Sequence, residues 1–213
     1  MEIAIISDTH NRMRRIVVPK SDLLVHCGDA TCMNSARELR VFNARLARLG
    51  QTVLFVPGNH DGLFQSDPEQ ARSLVPAAIV LIDESVTING VKFYGSPWHC
   101  GFATNFNAFT LVEGCRELSE ASAKIPEDID VLITHGPAFG ILDQDGRNVS
   151  RGCHVLRRYL GYRDPHKTLY HVFGHIHDAY GQYFDPDTNI HHINAASVNS
   201  RYQPVNPPVT IRL

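Results

Sequence analysis

Five short segments of this chain, each of strand length, run into a motif rich in aspartate, asparagine, histidine or glycine. The segments cover residues 3–6, 23–27, 53–56, 131–134 and 170–173 and are almost entirely apolar. Such runs are typical of strands that are buried on both faces. Side chains at the ends of successive strands can converge on one point, as a bound metal ion requires. The motifs, in chain order, are Asp8-Thr9-His10, Gly28-Asp29, Gly58-Asn59-His60-Asp61, His135-Gly136 and Gly174-His175-Ile176-His177.

Seven residues of these motifs form a candidate ligand set for two metal ions. Carboxylate and amide oxygens mixed with imidazoles suit divalent metals such as Mn, Fe or Zn. The absence of cysteine from the set argues against a structural zinc site. In an extended stretch Asp8 and His10 would point to the same side, so we expect them to reach one ion. The predicted ligands are Asp8, His10, Asp29, Asn59, His135, His175 and His177.

Each motif also has a simpler interpretation. Glycine, asparagine and aspartate are turn residues, so residues 58–61 could form only a turn. Two histidines in a loop, such as His175 and His177, can simply be exposed. Five such motifs at predicted strand ends in one chain nevertheless favour a metal site over five unrelated turns.

The rest of the chain predicts helices between the strands. Asn34 or Ser35 can cap a helix that ends at Leu49, with Gly50 as its stop. Thr110 and Glu113 form a capping-box pattern for a helix to about residue 124. A further helix is expected over residues 152–160 with Ser150 as its cap, and the chain after residue 177 is expected to be all β.

The pattern of strands and helices predicts the fold class. Strands are expected at 79–82, 86–88 and 91–95, with Asn89-Gly90 as a hairpin turn. Strand–helix units followed by a strand-rich half indicate two packed sheets with helices outside. The 213 residues are expected to form a single domain, residues 1–213.

Composition and charge exclude several classes of function. The chain is 43% hydrophobic and 20% charged, with a formal net charge of −2 and no basic run. This balance gives no long-range attraction to long nucleic acids or anionic membranes. We expect no signal peptide and no membrane span, and hence a cytoplasmic protein. The five cysteines form no Cys-x-x-Cys pair, so we expect reduced thiols.

The five motifs together resemble the signature of calcineurin-like metallophosphoesterases. Residues 171–181, 193–197 and 203–208 resemble one branch of that family, the metallophosphoesterase-domain-containing proteins first described in animal brain. The resemblance implies an α/β fold, a four-layer αββα sandwich of two mixed sheets flanked by helices. Some members of the branch carry glycine at the first histidine of Gly-His-x-His. This chain keeps His175, so a competent site is expected.

The resemblance also implies how the ligands are shared. Asp29 would bridge the two ions. One ion would take Asp8, His10, Asp29 and His177, and the other Asp29, Asn59, His135 and His175. A hydroxide bridging the ions would then attack a phosphodiester in line with its leaving group.

Three further residues are candidates around this site. By resemblance His60 would approach the leaving oxygen as a cation or general acid. Asp61 could hold the other ring nitrogen of His60, or be only a solvated turn residue. Arg12 could contact a phosphate oxygen, or be a surface arginine.

Two features of other members of the family are missing from this chain, and their absence limits the expected substrates. Residues 30–33 do not match the Asp-Arg-Gly string of the family's protein phosphatases, and the DNA-binding extension of its nucleases is missing. A small phosphodiester, such as a cyclic nucleotide, is therefore the expected substrate. Trp98, Phe102 and Phe106 of an aromatic loop at 96–109 could stack a nucleobase or pack as core. The alternatives are a low-activity nucleotide-binding or scaffold protein, and a nuclease acting on short single strands.

Overall fold

A computed structural model describes residues 1–101, 108–167 and 169–213 of the chain. A first sheet is built from β1 (Glu2–Ile6), β2 (Leu23–His26), β3 (Thr52–Phe55), β4 (Ile79–Val80) and β13 (Val209–Arg212). The order across the sheet is β13-β1-β2-β3-β4. Strands β1 to β4 are parallel, and β13 pairs antiparallel with β1 at one edge.

A second sheet of six strands follows the same plan. Its strands are β5 (Glu84–Ile88), β6 (Val91–Ser96), β9 (Val131–Thr134), β10 (Leu169–Phe173), β11 (Gly181–Asp185) and β12 (Ile190–Asn194). The order is β11-β12-β10-β9-β6-β5, with a parallel centre and an antiparallel strand at each edge. The turn between β5 and β6 is Asn89-Gly90, where both residues have positive φ, as the sequence predicts.

Helices and a small third sheet complete the described elements. The helices are α1 (Ala36–Leu49), α2 (Leu63–Ser66), α3 (Pro68–Leu74), α4 (Arg116–Ala123) and α5 (His154–Gly161). Two short 3₁₀ turns cover Met13–Arg15 and His177–Ala179. Strands β7 (His99–Cys100) and β8 (Thr110–Leu111) pair with each other. None of the helices in the described ranges is long and apolar enough to cross a bilayer.

The hydrophobic core has three layers between four layers of secondary structure. Ile3 and Ile5 of β1 pack between the two sheets, whereas Ala4 and Ile6 pack under the helices of the first sheet. A third cluster joins the outer face of the second sheet to α4 and α5. Burial on both faces explains why the strands are continuous apolar runs. The structure thus confirms the predicted αββα sandwich of two mixed sheets.

Helix α1 has the predicted ends. Ser35 is its N-cap and forms a capping box with Glu38, and Gly50 ends the helix in the left-handed conformation. The short helices α2 and α3 were not predicted, because residues 63–74 carry no extended helical period.

Two other predicted helix starts are wrong. Thr110 lies in β8, and its hydroxyl contacts His99 and the Ala108 carbonyl, so it caps no helix. Helix α4 begins at Arg116 with Cys115 as the N-cap. Helix α5 begins at His154 with Cys153 as the N-cap, whereas Ser150 forms a bridge with Gln144. The chain after residue 177 also begins with a 3₁₀ turn before it becomes β.

Candidate metal centre

The seven predicted ligands lie where five parallel strands end. Asp8 and His10 follow β1, Asp29 follows β2 and Asn59 follows β3, all in the first sheet. In the second sheet His135 follows β9, and the remaining two ligands, His175 and His177, follow β10. Since β1, β2 and β3 are neighbours, as are β9 and β10, their carboxyl ends present these side chains at one edge of the sandwich.

Four of the seven ligand residues have a left-handed backbone. The φ angles of Asp8, His10, Asp29 and His175 are 52°, 38°, 57° and 69°. Asp8 and His10 are therefore not in an extended stretch, and the geometric reason given for their convergence is wrong. The tight loop after β1 brings them together instead, held by hydrogen bonds from their backbone N–H groups to the Gly28 and Asp29 carbonyls, both 2.9 Å.

Two glycines make room for the carboxylates. A Cβ atom on Gly174 would lie 2.0 Å from Asp8 Oδ2, and one on Gly58 would lie 2.2 Å from Asp29 Oδ1. Both distances are shorter than any real contact, so each position requires a residue without a side chain. Gly174 thus allows the second sheet to approach Asp8 of the first, and Gly58 allows the loops after β2 and β3 to approach each other.

Asp29 lies between two groups of histidines. Its Oδ2 is 3.6 Å from His10 Nε2, and its Oδ1 is 3.5 Å from His135 Nε2. The carboxylate is buried, and the surrounding imidazoles hold its pKa well below the usual value even though burial alone would raise it. Each oxygen therefore faces a different half of the site.

The half of the site around Asp8 contains His10 and His177. Asp8 Oδ1 is 3.4 Å from His177 Nε2, and His177 Nε2 is 3.2 Å from His10 Nε2. The backbone N–H of His175 donates to Asp8 Oδ2 at 2.9 Å. One ligand atom of each of Asp8, His10 and His177 lies within 4.8 Å of the others, as does one of each of Asp8, Asp29 and His135.

The hydrogen bonds of the rings fix which nitrogens point inward. Nδ1 of His10 is 3.1 Å from the Thr31 carbonyl, and Nδ1 of His135 is 2.9 Å from the Cys27 carbonyl. A carbonyl only accepts, so Nδ1 carries the hydrogen and the Nε2 lone pair faces the centre. This Nε2 lone pair faces other hydrogen-bond acceptors: Asn59 Oδ1, for example, lies 2.9 Å from His135 Nε2. Acceptors facing acceptors need a proton or a cation between them, so this donor set fits divalent metal ions.

Two of the histidines differ in charge when the centre is metal-free. Burial lowers the pKa of His135, but the adjacent Asp29 carboxylate outweighs this effect and raises it to about 9. Burial and the neighbouring His135 lower the pKa of His175 to about 4. At neutral pH His175 is thus a neutral ligand, whereas His135 holds a proton that a metal ion must displace.

His60 borders the centre, and Asp61 has a different role from the predicted one. His60 Nδ1 lies 2.9 Å from the Cys32 carbonyl, and its ring centroid is 4.9 Å from that of His10. Asp61 instead accepts three backbone N–H bonds, from Gly58, Ala30 and Thr31, at 3.0–3.2 Å. The predicted contact between Asp61 and His60 is not formed, because the Asp61 carboxylate points to backbone N–H groups of its own loop and of the loop after β2. Asp61 is 1% exposed, so it is not a solvated turn residue either.

Two more residues complete the rim of the centre. Arg12 is exposed, next to the 3₁₀ turn at Met13–Arg15, and its contact with phosphate stays a prediction. Tyr202 was missed by the sequence analysis. Its ring centroid lies 4.8 Å from that of His10 and 5.3 Å from that of His177. The only sequence feature that pointed to Tyr202 is its position next to residues 203–208, which resemble one branch of the family.

A cavity of about 770 Å³ opens beside the centre. His175 and His99 lie at the side of the cavity next to the metal ligands, with ring centroids 4.7 Å apart. Phe139 and His154 stack in its wall with centroids 3.6 Å apart. Trp98 does not line it: the indole donates to Asp83 and packs on Phe109, as core. Phe102 and Phe106 lie outside the described residues.

Comparison with known proteins places the site in a family. The family model described as calcineurin-like phosphoesterase matches residues 1–179. Metallophosphoesterase domain-containing protein 1 of Homo sapiens is 35% identical over 233 residues, which cover 98% of this chain and 69% of the relative. A UPF0046 protein of Caenorhabditis elegans is 33% identical, with 98% and 74% covered. The crystal structure of TT1561 of Thermus thermophilus has the same fold, with a TM-score of 0.63, 12% identity, and 93% and 89% covered.

Proposed function

Because this chain belongs to the calcineurin-like phosphoesterase family, we propose that it is a binuclear-metal-dependent phosphodiesterase for small phosphodiesters. The observation that carries the proposal is the position of Asp29. Its two carboxylate oxygens face His10 on one side and His135 on the other, at 3.6 Å and 3.5 Å. A carboxylate placed in this way is suited to be shared by two cations.

The ligands divide between two ions around that carboxylate. Asp8, His10 and His177 would complete the first site, and Asn59, His135 and His175 the second. The mixture of oxygen and imidazole donors suits Mn, Fe or Zn. When bound, two such ions supply an activated water for attack and hold the oxygens of the phosphoryl group.

His60 is the proposed proton donor to the leaving oxygen. The Nδ1 hydrogen is held by the Cys32 carbonyl at 2.9 Å, which orients the ring so that Nε2 is the nitrogen left for substrate. The His60 backbone N–H donates to Asp29 Oδ1 at 2.8 Å and ties the loop to the centre. General acid catalysis of this kind contributes roughly 10²–10⁴ in rate. Arg12, exposed nearby, is proposed to contact a phosphate oxygen.

The adjoining cavity favours an organic ester over inorganic phosphate. Its volume of about 770 Å³ and its stacked wall of Phe139 and His154 suit an aromatic group, such as a nucleobase of a cyclic nucleotide. A diester whose phosphorus lies over the ligands could place that group beside His175. We therefore expect turnover of aryl and cyclic phosphodiesters in the single proposed domain.

The experiment compares matched variants after metal removal and reconstitution. Protein loaded separately with Mn, Fe, Zn, Ni or Mg is assayed on a bis-aryl phosphate and on cyclic nucleotides. We expect Mn²⁺-stimulated turnover that is lost in Asp29→Ala together with the metal. In His60→Ala turnover is lost while the bound metal is kept, and the exposed His166→Ala serves as the matched control.

The outcomes separate the alternatives. No turnover on any aryl or cyclic diester by the metal-loaded protein would refute the proposal. A tight nucleoside monophosphate complex without turnover would indicate the nucleotide-binding or scaffold role. Salt-sensitive cleavage of short oligonucleotides, with diesters untouched, would indicate the nuclease.

A further inference from the structure

A second cluster of metal-binding side chains lies in and behind the wall of the same cavity. Cys100 in β7, Glu113 in the turn after β8 and Cys153 at the start of α5 each present one ligand atom within 4.8 Å of the other two. Cys100 and Glu113 line the cavity, and Cys153 is buried behind them. None of the three is among the seven proposed ligands of the binuclear centre.

Backbone groups hold the donor atoms of this cluster in place. Cys153 Sγ accepts a hydrogen bond from the Leu156 N–H at 3.2 Å, as the N-cap of the eight-residue α5. The N–H of His154 donates to Glu113 Oε2 at 3.2 Å. Cys100 Sγ donates to the Arg151 carbonyl at 3.7 Å. The N–H bond to the Cys153 sulfur at a helix N-terminus favours the thiolate form that binds metals.

The two thiols of the cluster have pKa values that are shifted in opposite directions. The pKa of Cys100 is raised, first by its contact with Cys153 and further by burial, whereas the same contact lowers the pKa of Cys153. Cys153 is thus the cysteine that loses its proton more readily, next to the Glu113 carboxylate. A divalent cation bound to both sulfurs as thiolates and to Glu113 would neutralise two of the three negative charges.

We propose that Cys100, Glu113 and Cys153 bind a thiophilic divalent cation such as Zn²⁺. Zinc takes thiolate sulfur at about 2.3 Å and carboxylate oxygen at about 2.0–2.2 Å in a tetrahedral arrangement. The three ligand atoms lie within 4.8 Å of one another, so small side-chain movements would bring them into that arrangement. Three protein ligands leave the fourth position for water or for a group in the cavity. The cysteines are 53 positions apart and match no zinc-finger spacing, so the sequence alone does not reveal the site.

Cobalt(II) is the probe that separates this site from the binuclear centre. The proposed ligands of that centre include no cysteine, so a sulfur-to-cobalt charge-transfer band reports on thiolate ligands alone. Metal-free protein is kept in a non-thiol reductant and titrated with Co²⁺. We expect a band that saturates at one equivalent per chain, persists in Asp29→Ala and is displaced by Zn²⁺.

Matched variants identify the ligands. Cys100→Ser and Cys153→Ser are expected to abolish the band, whereas Cys115→Ser, at the N-cap of α4, is expected to keep it. Glu113→Gln is expected to keep the two-thiolate band and to weaken Co²⁺ affinity roughly 10–100-fold, at least the effect of losing an outer-shell partner. Because Glu113 is exposed, this variant tests the proposal even if a serine variant does not fold.

Four results would overturn the proposal. The first is a folded, reduced wild-type protein that shows no charge-transfer band with excess Co²⁺. The second is a band that survives Cys100→Ser, and the third is a band that Cys115→Ser removes. The fourth is a disulfide between Cys100 and Cys153 that persists in the reducing buffer. Activity of the binuclear centre enters none of these measurements, so this proposal and the proposed function can fail separately.

Discussion

Metal binding to the binuclear centre should depend steeply on pH, because a proton occupies one of its ligands. The pKa of His135 is raised to about 9 in the metal-free protein, as the Asp29 carboxylate outweighs burial. A raised pKa means that the proton is bound more tightly, so the metal must displace it at any pH below that value. Apparent affinity therefore rises with pH up to about 9.

The size of the effect follows from that pKa. Since pH 7 is about two units below the His135 pKa, displacing the proton costs the metal roughly 3 kcal/mol, or about 100-fold in apparent affinity. Between pH 7 and pH 8 affinity should rise at least about tenfold. His177 adds to this pH dependence. Burial lowers its pKa, but the Asp8 carboxylate has a larger opposite effect, so the pKa is raised overall.

Calorimetry can count the protons directly. Mn²⁺ is titrated into metal-free protein at pH 7 in two buffers of different ionisation enthalpy. The difference in apparent enthalpy should correspond to at least one proton released per centre. In His175→Gln the proton count should stay the same, because a ligand with a pKa of about 4 holds no proton at pH 7. An affinity equal at pH 7 and pH 8, with no buffer-dependent enthalpy, would refute this reasoning.

Three further predictions test the packing at the centre, the hydrogen bonds of a neighbouring loop and the core between the sheets. Gly174→Ala places a Cβ 2.0 Å from Asp8 Oδ2, so bound metal measured by mass spectrometry should fall by half or more. Gly161→Ala has no neighbour within 4 Å and should keep the full metal content; full metal in both would contradict the steric argument. Asp61→Asn replaces one of the two accepting oxygens by an NH₂ group, which leaves at least one of the three backbone N–H groups without its acceptor, and should lower the free energy of unfolding by about 1–3 kcal/mol in urea. An unchanged urea midpoint would show that those groups find other acceptors. Phe93→Ala empties a fully buried position between the sheets and should cost about 3–5 kcal/mol by the same measurement; a cost below about 1 kcal/mol would mean that the sheets close the gap.

The sequence allowed the strands and the candidate ligands to be predicted for one physical reason. Strands buried on both faces must be apolar throughout, so residues 3–6 and 131–134 stand out against the polar residues that end them. Motifs at the ends of parallel strands then necessarily meet at one edge. Within one sheet this rule places Asp8 near Asp29, whereas the contact of Asp8 with His177, 169 positions later, also requires the two sheets to dock with these edges together.

The contacts of the loop side chains were harder to predict, because each polar side chain has several possible partners and the local sequence does not show which one it takes. Thr110 has the pattern of a cap, yet its hydroxyl contacts His99 across a short sheet. Asp61 stands next to His60, yet three backbone N–H groups offer it more hydrogen bonds than one ring nitrogen. Tyr202 reaches the centre only because residues 195–197 cross the end of β1, where Ser7 pairs with Ala196. These outcomes depend on contacts between distant segments.

The two sheets contribute unequal parts of the ligand set, four side chains from the first and three from the second. Neither layer alone can assemble the two proposed sites, and the last proposed ligand, His177, is reached only after five-sixths of the chain. We therefore expect metal to bind only after one layer has docked onto the other. Bound ions would link the two sheets, so we expect separation of the sheets and loss of the metal to occur together.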